Sequence, residues 1–183
     1  DPIITRDAIR AGCVVVGLSG HRWGLFAPAP GLWILQQCAR LWEQEGAAIS
    51  YEELERRTET ATIESRITFS DRRFNAPTNV IAEIRRACVE ARGRPPETQG
   101  EVAKVVLDSL ADAYREAVET LSRVTGRRFD SLHIVGGGSK NSYLCQRIAD
   151  TLSLSVLAGP GEAAAIGNLL LQAQVMGLLP DEE

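Results

Sequence analysis

Histidine is nearly absent from this sequence: His21 and His133 are the only two in 183 residues. Neither is read as part of a Ser-His-Asp arrangement, and a structural role is expected of both. No HExxH, no DxD and no Cys/His cluster with metal spacing occurs, so no protein-bound metal is expected. The four cysteines, Cys13, Cys38, Cys88 and Cys145, are scattered and never form CxxC. They read as reduced, mostly core thiols in a cytoplasmic protein. Basic clusters with interleaved aromatics are missing and the net charge is −4, which argues against a nucleic-acid surface. No apolar run reaches the length of a membrane span and no signal peptide is visible, so no membrane partner is expected. A Walker loop, GxxxxGK followed by Ser or Thr, is also lacking. Repeats and low-complexity stretches are absent. The length predicts one domain, and a start at Asp1 without methionine leads us to expect a piece of something longer.

What the sequence does have is concentrated between Ser131 and Asn141, SLHIVGGGSKN. Leu132, Ile134 and Val135 predict a short buried strand. Gly136, Gly137 and Gly138 then turn the chain, and a helix opens at Asn141. Glycines at a strand-to-helix junction expose bare N–H groups and the positive end of a helix dipole, a favourable place for a phosphate or the edge of a base. The same glycines also serve a tight turn chosen for packing, and both readings stand at this point. A dinucleotide fingerprint is disfavoured, because Asn141 replaces its third small residue and no acid ends the next strand. The layout recurs at once: Leu154 to Ala158 reads as a strand, Gly159-Pro160-Gly161 as a turn, and Glu162 to Met176 as a helix. Two such units in tandem predict a parallel α/β core with both turns at one edge.

Upstream, residues 1–10 read as a connector. Cys13 to Leu18 and His21 to Phe26 read as a hairpin turning at Ser19-Gly20. Leu32, Leu35, Cys38, Ala39 and Trp42 predict a helix from Leu32 to Glu45. Ser50 to Glu53 and Thr98 to Glu101 read as capping boxes, and Thr78 as the cap of a helix carrying Ile81, Ile84, Ala87 and Cys88. Ile63 to Asn75 reads as irregular. The longest helix runs from Thr98 to Gly126, as a crossover laid on a sheet. Trp23, Trp33 and Trp42 are expected in packing, and Glu162 as a helix-end charge.

Four strings, taken together, resemble one family. Leu132 to Asn141 looks like the adenosine-site motif of FGGY-type carbohydrate kinases, most of all the rhamnulokinases among them. Gly31-Leu32-Trp33-Ile34-Leu35-Gln36 resembles their GLWLLQ helix, and Asp71 to Pro77 their DxRFxAP segment. Ala158 to Asn168 resembles their AGPxEAxAIGN. The resemblance implies an α/β, ribonuclease H-like domain of the actin/Hsp70 type, with a mixed sheet whose parallel part is flanked by helices. Residues 1–183 would be most of the C-terminal, nucleotide-binding domain of a two-domain sugar kinase. ATP/ADP and Mg2+ would be the cofactors, with the sugar reached through an N-terminal domain. By motif, Gly136, Gly137 and Gly138 with Asn141 and Gln36 would bind nucleotide: Gly137 through its backbone, Asn141 against the adenine, Gln36 on the opposite wall. The reaction implied is transfer of the γ-phosphate of ATP to a ketose hydroxyl, as from L-rhamnulose to its 1-phosphate.

The family's GxHD-like motif with its catalytic aspartate, its DxGTTS-like hairpin and its GTWS-like strand do not occur here. No catalytic residue is therefore assigned, and the chain alone should not phosphorylate a sugar. Pro28 also stands where the family has an asparagine that touches the sugar. That favours, as an alternative, a non-catalytic relative that binds nucleotide or a partner; a small interaction module with purely structural glycines is the third reading. A fragment of this kind should expose an apolar face and self-associate.

Overall fold

The computed structural model describes residues 2–18 and 20–180; Asp1, and Ser19 of the expected hairpin turn, lie outside the described residues. The expected connector contains a short helix, α1 (Arg6–Arg10), because the Thr5 hydroxyl caps it by accepting from the Ala8 N–H at 3.1 Å. Strands β1 (Val14–Leu18) and β2 (Arg22–Phe26) form the antiparallel hairpin, with Val14 opposite Phe26. His21 does not begin the second strand. It shares the turn with Gly20, both at positive φ.

Four helices follow: α2 (Trp33–Gln44), α3 (Tyr51–Thr60), α4 (Val80–Glu90) and α5 (Gln99–Thr125). Ile34, Leu35, Cys38 and Trp42 seat α2 on the core at helical spacing. Two caps differ from expectation. The Ser50 hydroxyl accepts from the Glu53 N–H, but Glu53 does not reach back to complete a box; its carboxylate takes Arg56 and Arg57, each at 2.7 Å. Charge-assisted bonds outcompete a single backbone donor. The cap of α4 is Asn79 rather than Thr78, its Oδ1 accepting from the Ala82 N–H at 2.9 Å. Starting one residue later sets Val80, Ile81, Ile84 and Cys88 on the core. Between α3 and α4 the chain is irregular, as expected, apart from a 3-10 turn at Arg72–Phe74 that buries Phe74.

The capping box of α5 is complete. Glu101 accepts from the Glu97 N–H at 2.7 Å and the Thr98 N–H at 3.2 Å, and it pairs with Arg94. Chiefly the Arg94 bond holds its carboxyl down at about 2, from an ordinary 4.5. A depressed carboxyl contributes stability above its unfolded value and loses it as pH falls to the folded one. Glu101 should therefore withdraw support between pH 4.5 and about 2. In urea midpoints measured across that window, Glu101→Gln should flatten part of the wild-type slope; an unchanged slope would contradict this.

Helix α5 does not lie on a sheet as expected; its main neighbours are α3 and α6 (Ser142–Leu152). From Val105 to Ala111 every residue is buried, whereas Ala113, Ala117, Leu121 and Val124 are only half-buried. The sheet it leads to is too small to cover it. Strand β3 (Ser131–Ile134) pairs in parallel with β4 (Ser155–Ala158), Leu132 beside Val156. Among the described residues this pair is a sheet of its own, separate from β1–β2, so the expected single mixed sheet is replaced by two two-stranded ones. Nor is β3 buried: Leu132 and Ile134 pack on the core while Ser131 and His133 are exposed, because only one face is covered.

The last helix, α7 (Ala163–Val175), buries no residue and exposes Ile166, Leu169, Leu170, Leu171 and Val175. Glu162 is its N-cap residue but makes no side-chain cap bond. Of the tryptophans only Trp42 is buried; Trp23 and Trp33 are exposed. All four cysteines are free, Cys38 and Cys88 buried, Cys13 and Cys145 partly so. No helix among the described residues is long and apolar enough to cross a membrane.

Candidate nucleotide cavity

Both glycine turns end up at one sheet edge, bonded to each other. The Gly136 N–H donates to the Pro160 carbonyl at 3.1 Å, and the Gly159 N–H to the Ile134 carbonyl at 2.7 Å. After Gly136 the chain makes a 3-10 turn, Gly136–Lys140, before α6 begins. Its three glycines have different reasons. Gly136 sits at φ +75°, which only glycine adopts freely. A Cβ on Gly138 would touch Ile134 at an ordinary 3.7 Å. A Cβ on Gly137 would meet nothing within 4 Å, and its φ is not positive. Neither backbone nor packing asks for glycine there.

The N-terminus of α6 is not bare. Asn141 caps it, Oδ1 accepting from the Leu144 N–H at 2.7 Å. The Tyr143 N–H is taken by Glu55 of α3, at 2.9 Å and across 88 residues of chain. The expected row of free donors is therefore replaced by two side-chain acceptors. With one bond already on its oxygen, Asn141 still has its amide donors to offer. The Cys145 thiol lies 3.7 Å from the Gly138 carbonyl, behind the turn.

In front of this helix end lies a cavity of about 340 Å³, walled by Leu32, Leu35 and Gln36 of α2, Tyr51 and Glu55 of α3, and Gly137, Lys140 and Asn141. Three of the five residues picked from sequence, Gln36, Gly137 and Asn141, thus meet around one space. Gly136 and Gly138 support the turn and stay out of the wall. Sequence reasoning missed Glu55 and Tyr51. The only hint was their place in α3, next to the Ser50 cap. Pro28 lines a different cavity, of about 270 Å³, with Asp112 and Glu116. Among the described residues no group of three or more His, Cys, Asp or Glu could hold a metal ion.

Behind the cavity is a second feature the sequence did not announce. Asp108 of α5 is 1% exposed and meets three cations: Arg66 at 3.0 Å, Lys104 at 3.2 Å and Arg147 at 3.2 Å. The Tyr143 hydroxyl donates to it at 2.7 Å. Burial first, then that bond, push the Tyr143 phenol well above its ordinary value. The signal was available: Lys104 and Asp108 stand at i,i+4 inside the apolar run Val102 to Leu110. This network fixes α6 against α5, and so fixes the helix end that carries Asn141.

Comparison with known proteins gives the class first. Residues 25–176 match the profile of the FGGY family of carbohydrate kinases, C-terminal domain. Proteins named rhamnulokinase are similar throughout: 40% identical over 96% of this chain in Halalkalibacterium halodurans, 40% over 82% in Enterococcus faecalis, and 37% over 78% in Bacillus subtilis. The chain covers 37%, 31% and 29% of those proteins' lengths, respectively. Its class is thus the carbohydrate kinases. Within that class the chain belongs to the FGGY family and carries sequence of its C-terminal domain.

Proposed function

We propose that the cavity between α2, α3 and the Gly136–Asn141 turn holds the nucleotide of an ATP-dependent sugar kinase. In this reading residues 1–183 form a single ribonuclease H-like domain, most of the C-terminal half of a rhamnulokinase-like enzyme. The whole protein, in the cytoplasm, would pass the γ-phosphate of ATP to a ketose hydroxyl, L-rhamnulose being the first candidate. Positioning and electrostatics would carry that transfer. The sugar and the catalytic base would be supplied by an N-terminal domain, and the exposed face of α7 supports self-association of the chain on its own.

One observation carries the reading. Gly137 needs to be glycine for no reason internal to the chain, yet it faces a cavity shared with Gln36 and Asn141. A missing side chain at that spot leaves room for a ligand to approach the backbone. The volume suits a small ligand, and the Asn141 amide donors match an acceptor on the edge of adenine. Mg2+ keeps most of its ligands from water and phosphate oxygens. It would therefore arrive with the nucleotide and supply charge neutralisation on the phosphates.

Thermal melts with and without millimolar ADP or ATP test this, since a ligand of the native state raises the midpoint by RT ln(1 + [L]/Kd). Asn141→Ala should lose the shift but also about 1 kcal/mol of stability through the lost cap. Gly137→Ala is the cleaner variant. It should melt like the parent without nucleotide and show a reduced shift with it. A wild-type chain that does not respond to either nucleotide would return the turn to a packing role.

A further inference from the structure

We propose that Tyr143 is a positioning residue for the cavity: its backbone and its hydroxyl tie the first turn of α6 to α3 and to α5, and so hold Asn141 in register with the other walls. The proposal rests on the nucleotide reading above and adds a residue that never touches the ligand. The Tyr143 N–H donates to Glu55, in the α3 wall, at 2.9 Å. Its hydroxyl donates to Asp108 of α5 at 2.7 Å. Those two bonds leave from the same helix turn that Asn141 caps.

Asp108 is a fixed anchor for that tether, because its two oxygens divide the work. Oδ2 pairs with Arg66 at 3.0 Å and Lys104 at 3.2 Å. Oδ1 faces α6, pairing with Arg147 at 3.2 Å and accepting from the Tyr143 hydroxyl. Lys104 also sets the direction of the hydroxyl bond. Its ammonium donates to the phenol oxygen at 2.5 Å and stands 5.1 Å from the ring centroid. With that donor on the oxygen, the phenol proton goes to Asp108. Arg147 lies one turn further along α6, on the same face. Of the two tethers, Tyr143 is the one that also holds a residue of the cavity wall. Without the hydroxyl, Asp108 keeps its three cations and the ring can still pack against the core. The fold therefore survives while the first turn of α6 loses its hold on α5.

Amide hydrogen exchange and calorimetric titration with ADP test the assignment on the wild-type chain, Tyr143→Phe and Asn79→Ala. The last removes a helix cap from α4, which contributes nothing to the cavity wall, and so lowers stability without touching α6. Two amides report on the tether: the one at position 143, bonded to Glu55, and that of Leu144, bonded to Asn141 Oδ1. Both should exchange about tenfold faster in Tyr143→Phe, the size of a bond to a charged group, and stay at wild-type rates in Asn79→Ala. ADP should bind about fivefold more weakly to Tyr143→Phe and equally well to wild type and Asn79→Ala. Equal acceleration of the two amides in both variants would make Tyr143 a matter of general stability and overturn the proposal. Undiminished ADP affinity in Tyr143→Phe also overturns it and leaves the nucleotide reading intact. If ADP does not bind the wild type, the nucleotide reading falls and the role of Tyr143 in the site falls with it, whatever the exchange rates show.

Discussion

Asp108→Ala is expected to destabilise the chain by about 3 kcal/mol, near the lower end for breaking a buried ion pair. Asp108 is the buried member, while Arg66, Lys104 and Arg147 keep 31%, 19% and 37% of their side-chain surface in water. Three cations that lose their shared carboxylate can partly rehydrate, which keeps the loss from the upper end. The half-buried Tyr143 hydroxyl loses its acceptor and still meets the Lys104 ammonium, 2.5 Å away. Asp108→Asn keeps an oxygen for Tyr143 and should recover part of the loss. Arg66→Ala should cost less than Asp108→Ala, since two cations remain on the carboxylate. Urea unfolding reads all three, as a fall in midpoint at constant slope. A loss under about 1 kcal/mol for Asp108→Ala would mean the network is no better than a surface pair. For a domain whose whole stability is of order 5–15 kcal/mol, the expected loss is large.

Gly100→Ala should also be damaging, though less so, for a geometric reason. Gly100 stands at the start of α5 where it crosses α3, and a Cβ there would lie 2.6 Å from the Arg57 carbonyl oxygen and 2.8 Å from its carbon. Those are backbone atoms, so no side chain can swing aside. Alanine would otherwise improve a helix by up to about 1 kcal/mol over glycine. Overpacking a tight contact costs about 1–3 kcal/mol, so the clash wins and α5 is pushed off α3. The bonds that bridge this crossing would be stretched with it: Arg57 to Gln99 at 3.1 Å and Gln99 to the Ala47 carbonyl at 2.8 Å. The expected result is a net loss of up to about 2 kcal/mol in the same urea assay. A gain in stability would show that the two helices have slack at this crossing.

Local chemistry was easy to read in the sequence, and tertiary cover was not. The period of Leu35, Cys38 and Trp42 gave α2, and the complete box at Thr98 and Glu101 gave the start of α5. Both depend on neighbours within a turn or two. The strand at Leu132 to Ile134 was recognisable as a strand. Its burial was misjudged, because burial depends on how many faces other elements cover and the described sheet has two strands. The mixed sheet failed for the same reason. At the cavity, Gly137, Asn141 and Gln36 were visible through their motifs, whereas Glu55 was not. A glutamate on an otherwise polar helix looks solvated, and only folding shows that it closes on Tyr143. Asp108 was the more readable omission, a charge inside an apolar stripe.

The bond between Glu55 and the Tyr143 N–H also bears on the order in which the molecule assembles. It joins positions 88 residues apart, and the elements between them include α4 and all of α5. While the chain emerges from a ribosome, α2 and α3 are complete long before the glycine turn exists. Contacts of such long separation are slow to close. The cavity is therefore among the last features to appear, and a nascent chain carries two of its walls without the third. Ligand capture by this cavity would then serve as a marker of a finished fold, silent for every shorter intermediate.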